Sequence, residues 1–132
     1  MRWLFKYLNL FSQRKQKRFW GDEKALVSFI SPDLPAVTHL GQVIDINERG
    51  ISFRYIAQDV RTQGVKELQL FGYRDDELRL DNVPCRIIYD IEVEKKILLS
   101  VPDMRRCGVQ FLELSQHQRS LLAKFIAKYA LR

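Results

Sequence analysis

Between residues 24 and 114 the chain breaks into short apolar runs separated by polar and turn-forming residues, the pattern of an antiparallel sheet. The clearest run is 83–94. There Val83, Cys85, Ile87, Tyr89, Ile91 and Val93 alternate with Pro84, Arg86, Ile88, Asp90, Glu92 and Glu94. Side chains two apart on a strand share a face, so this spacing predicts one apolar and one mostly polar face. Further strands are predicted at 24–30, ended by Ser31-Pro32-Asp33 and Pro35, and at 40–46, 51–56 and 67–73. Glu94-Lys95-Lys96 turns the chain into another at 97–101, and 105–114 forms the last. Asn47-Glu48-Arg49-Gly50 reads as a hairpin turn, with Gly50 free to take positive φ.

Helical spacing occurs at both ends. Trp3, Leu4, Tyr7, Leu8 and Phe11 predict a short amphipathic helix over 2–12. Ser115, with Gln118 three residues on, is a capping box. It opens a helix whose apolar face is Leu121, Leu122, Phe125, Ile126 and Tyr129. Many short strands followed by such a helix predict a mainly β fold: a closed antiparallel barrel with a C-terminal helix packed on it.

Charge divides the chain unevenly. The net charge is +6, yet residues 1–20 hold Arg2, Lys6, Arg14, Lys15, Lys17 and Arg18 and no acid, while the remainder carries 16 basic and 16 acidic side chains. The chain therefore reads as residues 1–22, a helix and basic arm, followed by 23–132, the barrel and its helix. Such an arm attracts an anion: a phosphate ligand, a nucleic acid, an acidic lipid surface or an acidic partner. Cys85 and Cys107 stand alone, with no CxxC, and fit buried free thiols in a reducing cytoplasm. No run reaches the about 18 apolar residues of a membrane-spanning helix, and the apolar start has no cleavage site that would make it a signal peptide.

The chemistry gathers in two segments. Arg14 and Arg18 stand four residues apart, and a guanidinium can grip a phosphate, stack on a base or donate paired bonds to guanine O6 and N7. In the hairpin, Ile44 and Ile46 are expected to point inward, so that Asp45 and Asn47 point outward together, with Ser52 or Arg54 across from them. A solvated hairpin accounts for that row by itself. Beside the arginines it acquires a second meaning. Asp45 can accept from guanine N1–H and N2–H, Asn47 can donate or accept, and Gly50 lets the backbone turn beneath a ligand.

The order Arg14-x-x-x-Arg18, then Asp45-x-Asn47-x-x-Gly50, resembles the paired signature of PilZ domains, bacterial receptors for cyclic diguanylate (c-di-GMP), whose motifs are RxxxR and (D/N)xSxxG. Gly50-Ile51-Ser52-Phe53 resembles the run after the second motif. Cys107-Gly108-Val109-Gln110-Phe111 and the helix through Tyr129 resemble the family's ending. The likeness covers roughly residues 13–130. It implies a barrel of about six strands closed by a C-terminal helix, and c-di-GMP clasped between the arm and the hairpin. Arg14 and Arg18 would hold guanine edges and phosphates, Asp45 would read guanine, and Gly50 would make the turn. Asn47 stands where the family usually has serine, which is the main departure.

The resulting expectation is a cytoplasmic, non-enzymatic receptor for c-di-GMP. Its arm closes on the barrel, and its N-terminal helix engages a protein partner or a second copy in a homodimer, with packing on its own domain or resting on an anionic membrane as the other readings of that helix. Two alternatives are a degenerate PilZ adaptor that binds only protein, and a nucleic-acid-binding barrel. No cofactor, catalytic residue or metal site is expected. His39 and His117 lack partners at ligand spacing, Asp45 lacks a catalytic partner, and Asp75-Asp76-Glu77 reads as a solvated acidic turn. Arg105 and Arg106 read as a solvent-facing pair, with reach to the ligand as the alternative.

Overall fold

The computed structural model describes residues 19–57, 60–93 and 103–131. The expected helix at 2–12, the strand at 97–101 and both Arg14 and Arg18 lie outside the described residues. The elements run β1 (Phe19–Gly21), β2 (Ala25–Ile30), β3 (Thr38–Ile46), β4 (Gly50–Ile56), β5 (Glu67–Gly72), β6 (Asp75–Glu92), β7 (Met104–Phe111), α1 (Gln116–Tyr129) and β8 (Ala130–Leu131). Strands β2, β5, β6, β7, β4 and β3 pair antiparallel in that order, and β3 pairs back to β2. The expected six-stranded closed barrel is therefore present.

Closure depends on β3 having two successive partners on one edge. Residues Thr38 to Gln42 pair with β2, and Asp45 and Ile46 pair with β1 instead. Residues 13–22, expected to be arm throughout, contribute this short strand at 19–21. Strand β1 in turn pairs with β8, Trp20 against Leu131 and Gly21 against Ala130. The backbone N–H of Asp22 donates to Tyr129 O at 2.6 Å. Three residues could not be recognised as a strand from periodicity, because alternation needs at least four.

Strand β6 starts at Asp75, eight residues before the expected run. Its first half pairs with β5 and its second with β7. The two halves meet near Asn82, which takes φ 52°. Leu78 and Leu80, then Val83 and Cys85, face the core across that irregularity. The acidic start is not simply solvated. Asp75 accepts from the backbone of Glu77 and Leu78, from Lys128 at 2.7 Å and from the Tyr129 hydroxyl, which ties β6 to the end of α1.

The core is Val27, Phe29, Val43, Ile46, Ile51, Phe53, Leu68, Leu70, Leu80, Val83, Val109 and their neighbours, with Leu122, Phe125 and Tyr129 of α1 closing one end. The capping box forms as predicted: Ser115 Oγ accepts from Gln118 N and Gln118 Oε1 accepts from Ser115 N, each at 3.0 Å. Such a cap contributes about 1 kcal/mol. Cys85 and Cys107 are buried free thiols. Burial pushes Cys85 up to about 12 and raises Cys107 as well, so both are poor nucleophiles.

Candidate functional site

Two β-bulges shape the outer face of the barrel. In β3 the register with β4 shifts between Val43 and Asp45, so Ile44 is the extra residue. In β6 the register with β7 shifts between Ile87 and Tyr89, so Ile88 is the extra one. Each bulge restarts the alternation one residue later. Val43 points into the core, and strict alternation from it would turn Asp45 inward; the bulge sends Asp45 outward and Ile46 inward. The expected pairing of Ile44 with Ile46 on the inner face is corrected accordingly: Val43 takes the place of Ile44, which is half-buried outside the core.

The same device corrects the expectation of one apolar face along 83–93. Beyond the bulge Tyr89 is paired with Gly108 on the outer face, and Asp90 is paired with Cys107 on the inner one. A row of outer residues then crosses five strands in register: Trp20 with Asp45, Asp45 with Ser52, Ser52 with Gly108, and Gly108 with Tyr89. Gly108 carries no side chain because the Tyr89 ring lies across it; a Cβ there would sit 2.2 Å from a ring carbon.

Within the row, Ser52 Oγ donates to Asp45 Oδ1 at 2.7 Å. Arg106, also on the outer face of β7, donates from one terminal nitrogen to Asp45 Oδ2 at 3.3 Å and to Ser52 Oγ at 3.1 Å. Asp45 is only 5% exposed. A buried carboxylate needs hydrogen-bond partners for its oxygens, and Ser52 and Arg106 supply them. Arg106 is therefore no solvent-facing residue; it buttresses the predicted guanine reader. Its Nε is buried without a hydrogen-bond partner among the described residues.

Asn47 does not continue the row. Its backbone N–H donates to Gly50 O at 3.0 Å, and its Oδ1 accepts from Arg49 N at 2.7 Å and Gly50 N at 3.0 Å. The side-chain oxygen thus closes the hairpin as an Asx turn, and the amide nitrogen is the group left for anything else. Gly50 has a different reason from the expected one. Its φ is not positive; instead, a Cβ would lie 2.1 Å from Val109 O, so glycine is needed for β4 to approach β7.

Arg105 points the other way. With Asp90, Tyr55 and Thr62 it forms a polar plug on the inner side of the sheet. Asp90 Oδ2 accepts from the Tyr55 hydroxyl at 2.5 Å, Thr62 N at 3.0 Å and Thr62 Oγ1 at 2.8 Å, and Oδ1 accepts from Arg105 Nε at 2.7 Å. Burial opposes ionisation of Asp90, yet the bonds from Tyr55, Thr62 and Arg105 outweigh it and hold the carboxyl below the usual range. Burial, then the bond to Asp90, pushes Tyr55 well above the usual phenol range. In the sequence, an aspartate amid the 83–94 run is the one visible sign of this plug.

Among the described residues, no group of three His, Cys, Asp or Glu side chains could hold a metal ion, and no helix is long and apolar enough to cross a membrane. A surface cleft of about 510 Å³ between the hairpin tip and α1 is lined by Glu48, Arg49, Gln110, Leu112, Arg119 and Leu122, and another of about 350 Å³ lies beside β2 and β5. Asp45, Asn47 and Gly50 line neither. The predicted hairpin residues thus belong to an outer sheet face, and a ligand there needs a second element to cover it.

This architecture is that of a six-stranded antiparallel barrel with a C-terminal helix, and the chain belongs to the PilZ domain family, whose profile matches residues 12–128. Solved structures of similar fold include the PilZ domain with c-di-GMP of YcgR from Escherichia coli, at 14% identity and TM-score 0.64, covering 88% of this chain and 90% of that one. MrkH from K. pneumonia in its apo state aligns at 11% identity and TM-score 0.62, covering 85% of this chain and 47% of that one. YcgR from Escherichia coli in complex with c-di-GMP aligns at 14% identity and TM-score 0.59, covering 88% of this chain and 45% of that one. This chain thus spans about half the length of MrkH and of that YcgR chain. No curated protein matches the sequence.

Proposed function

We propose that this chain is a non-enzymatic receptor for c-di-GMP, which it binds through Arg14, Arg18, Asp45 and Asn47 as the basic arm closes onto the hairpin. Family membership and the c-di-GMP-bound structures of similar fold support the ligand. The observation that carries the reading is the course of β1. Phe19, bonded to Arg18, pairs with Ile46, and Trp20 pairs with Asp45. The arm therefore meets the barrel beside the candidate guanine reader. Ser52 and Arg106 hold that carboxylate in its orientation.

A doubly anionic nucleotide neutralises an arm that otherwise repels itself, and this pins the arm. Whatever engages the amphipathic segment 2–12, a protein partner or a second copy, then meets a repositioned surface. Isothermal titration with c-di-GMP, with GTP and cyclic AMP as controls, tests the ligand. On the same complex, hydrogen exchange over residues 1–22 should slow; unchanged protection despite binding would remove the closure step.

One observation favours a second reading, the protein-binding adaptor. Asn47 Oδ1 is already engaged by Arg49 N and Gly50 N, so Asn47 can offer a ligand only its amide donor. A serine hydroxyl could donate and accept. If the chain is a receptor, Asn47→Ser should change affinity by no more than about fivefold, the worth of one neutral hydrogen bond. Binding that emerges only in Asn47→Ser would make the native chain an adaptor.

A further inference from the structure

Trp20 is 64% exposed, the most exposed large apolar side chain among the described residues. Tryptophan is highly buried on average, so an indole left mostly in water needs an account. Its place in the sheet supplies one. Trp20 is the cross-strand partner of Asp45, and the two stand on the same outer face. Neighbouring strands lie about 4.8 Å apart, so the indole flanks the carboxylate at one strand's distance. Tyr89, at the other end of the row, is 5% exposed and its ring is committed to Gly108. Trp20 is the aromatic of the row that is left mostly exposed.

We infer that Trp20 is a stacking platform for a guanine base of the bound nucleotide. A base is recognised by its edge and by its two faces. Asp45 is complementary to the N1–H and N2–H edge and contributes nothing to the faces. An indole beside it supplies a π surface that covers one face and excludes water from the edge contact. Because Trp20 sits on β1, stacking also anchors the arm two residues beyond Arg18 and links ligand occupancy to the β1–β8 pairing at the end of α1.

This inference rests on c-di-GMP as the ligand, and the experiment separates the two. Titration of the full chain with c-di-GMP is compared for the parent, Trp20→Leu and Trp20→Phe. Leucine keeps apolar bulk over the β1–β8 seam and removes the π face; phenylalanine keeps a smaller one. Trp20→Leu should bind about tenfold to a hundredfold more weakly, and Trp20→Phe should stay within about fivefold of the parent. In Trp3→Phe, where Trp20 is the remaining indole, c-di-GMP should quench tryptophan fluorescence. A parent that binds while Trp20→Leu stays within about twofold, or a bound complex with unquenched Trp20, overturns the stacking role alone. A parent that does not bind removes the receptor reading and this inference together. Should Trp20→Leu lose stability as well as affinity, the Phe variant and the quenching experiment decide.

Discussion

Arg14→Ala and Arg18→Ala should each weaken c-di-GMP binding by about tenfold to beyond a hundredfold, with the melting temperature nearly unchanged. A bidentate guanidinium contact to guanine or phosphate contributes about 1–3 kcal/mol, and each 1.4 kcal/mol is tenfold in affinity. Stability should hold because the two side chains belong to a run of like charge, whose mutual repulsion each substitution reduces. The binding loss should also come with a shallower salt dependence, since fewer cations then meet the ligand's phosphates. Asp45 is the less clean target. Its carboxylate holds Ser52 and Arg106 in place, so its removal would disturb stability and binding together. Two arginine variants that bind like the parent would show the site to be misassigned.

Asp90→Ala should have the largest effect on folding, about 3–5 kcal/mol, as expected when one partner of a buried charged network is removed. It strands the Arg105 guanidinium, the Tyr55 hydroxyl and both donors of Thr62, in a place where the Asp90 and Arg105 side chains are only 13% and 16% exposed. For a domain of this size the melting temperature should fall by more than about 10 °C. Because the folded-state pKa of Asp90 is depressed, its ionic contribution is present above the ordinary aspartate value of about 4 and is lost as pH falls through the lower folded value. The difference between the parent and Asp90→Asn should therefore shrink on acidification below about pH 4. A loss under about 1 kcal/mol for Asp90→Ala would mean that water replaces the carboxylate and that the plug is not a stability determinant.

Much of the scaffold was legible in the sequence because its signals are local. The runs at 24–30, 40–46, 51–56, 67–73 and 105–114 became strands with ends shifted by a few residues. The Ser115–Gln118 box opened the helix where predicted. The charge-neutral body and the two spaced motifs pointed to the family that the profile match shows. In the hairpin, the pairing of Asp45 with Ser52 and the turn at Asn47–Gly50 were legible, but not that Asn47 leaves the row. The reasons for Asn47 and Gly50 were not: one closes its own turn, and the other makes room for Val109 O.

What stayed hidden depends on closing the ring of strands. A bulge leaves no mark in a hydrophobic pattern, so the sequence could not show that Ile44 and Ile88 are extra residues or that Asp90 turns inward while Tyr89 turns outward. The fates of Arg105 and Arg106, adjacent in the chain, separate only once β7 has β4 on one side and β6 on the other. The basic arm and the hairpin motif were visible in the sequence as separate segments, together with the residue types able to grip an anionic nucleotide. That the chain following Arg18 runs beside Asp45, with Trp20 exposed next to it, was decided by the tertiary structure. Strand β1 binds there because β2 leaves the edge of β3 free beyond Gln42, and a backbone edge left unpaired takes whichever segment can satisfy its hydrogen bonds.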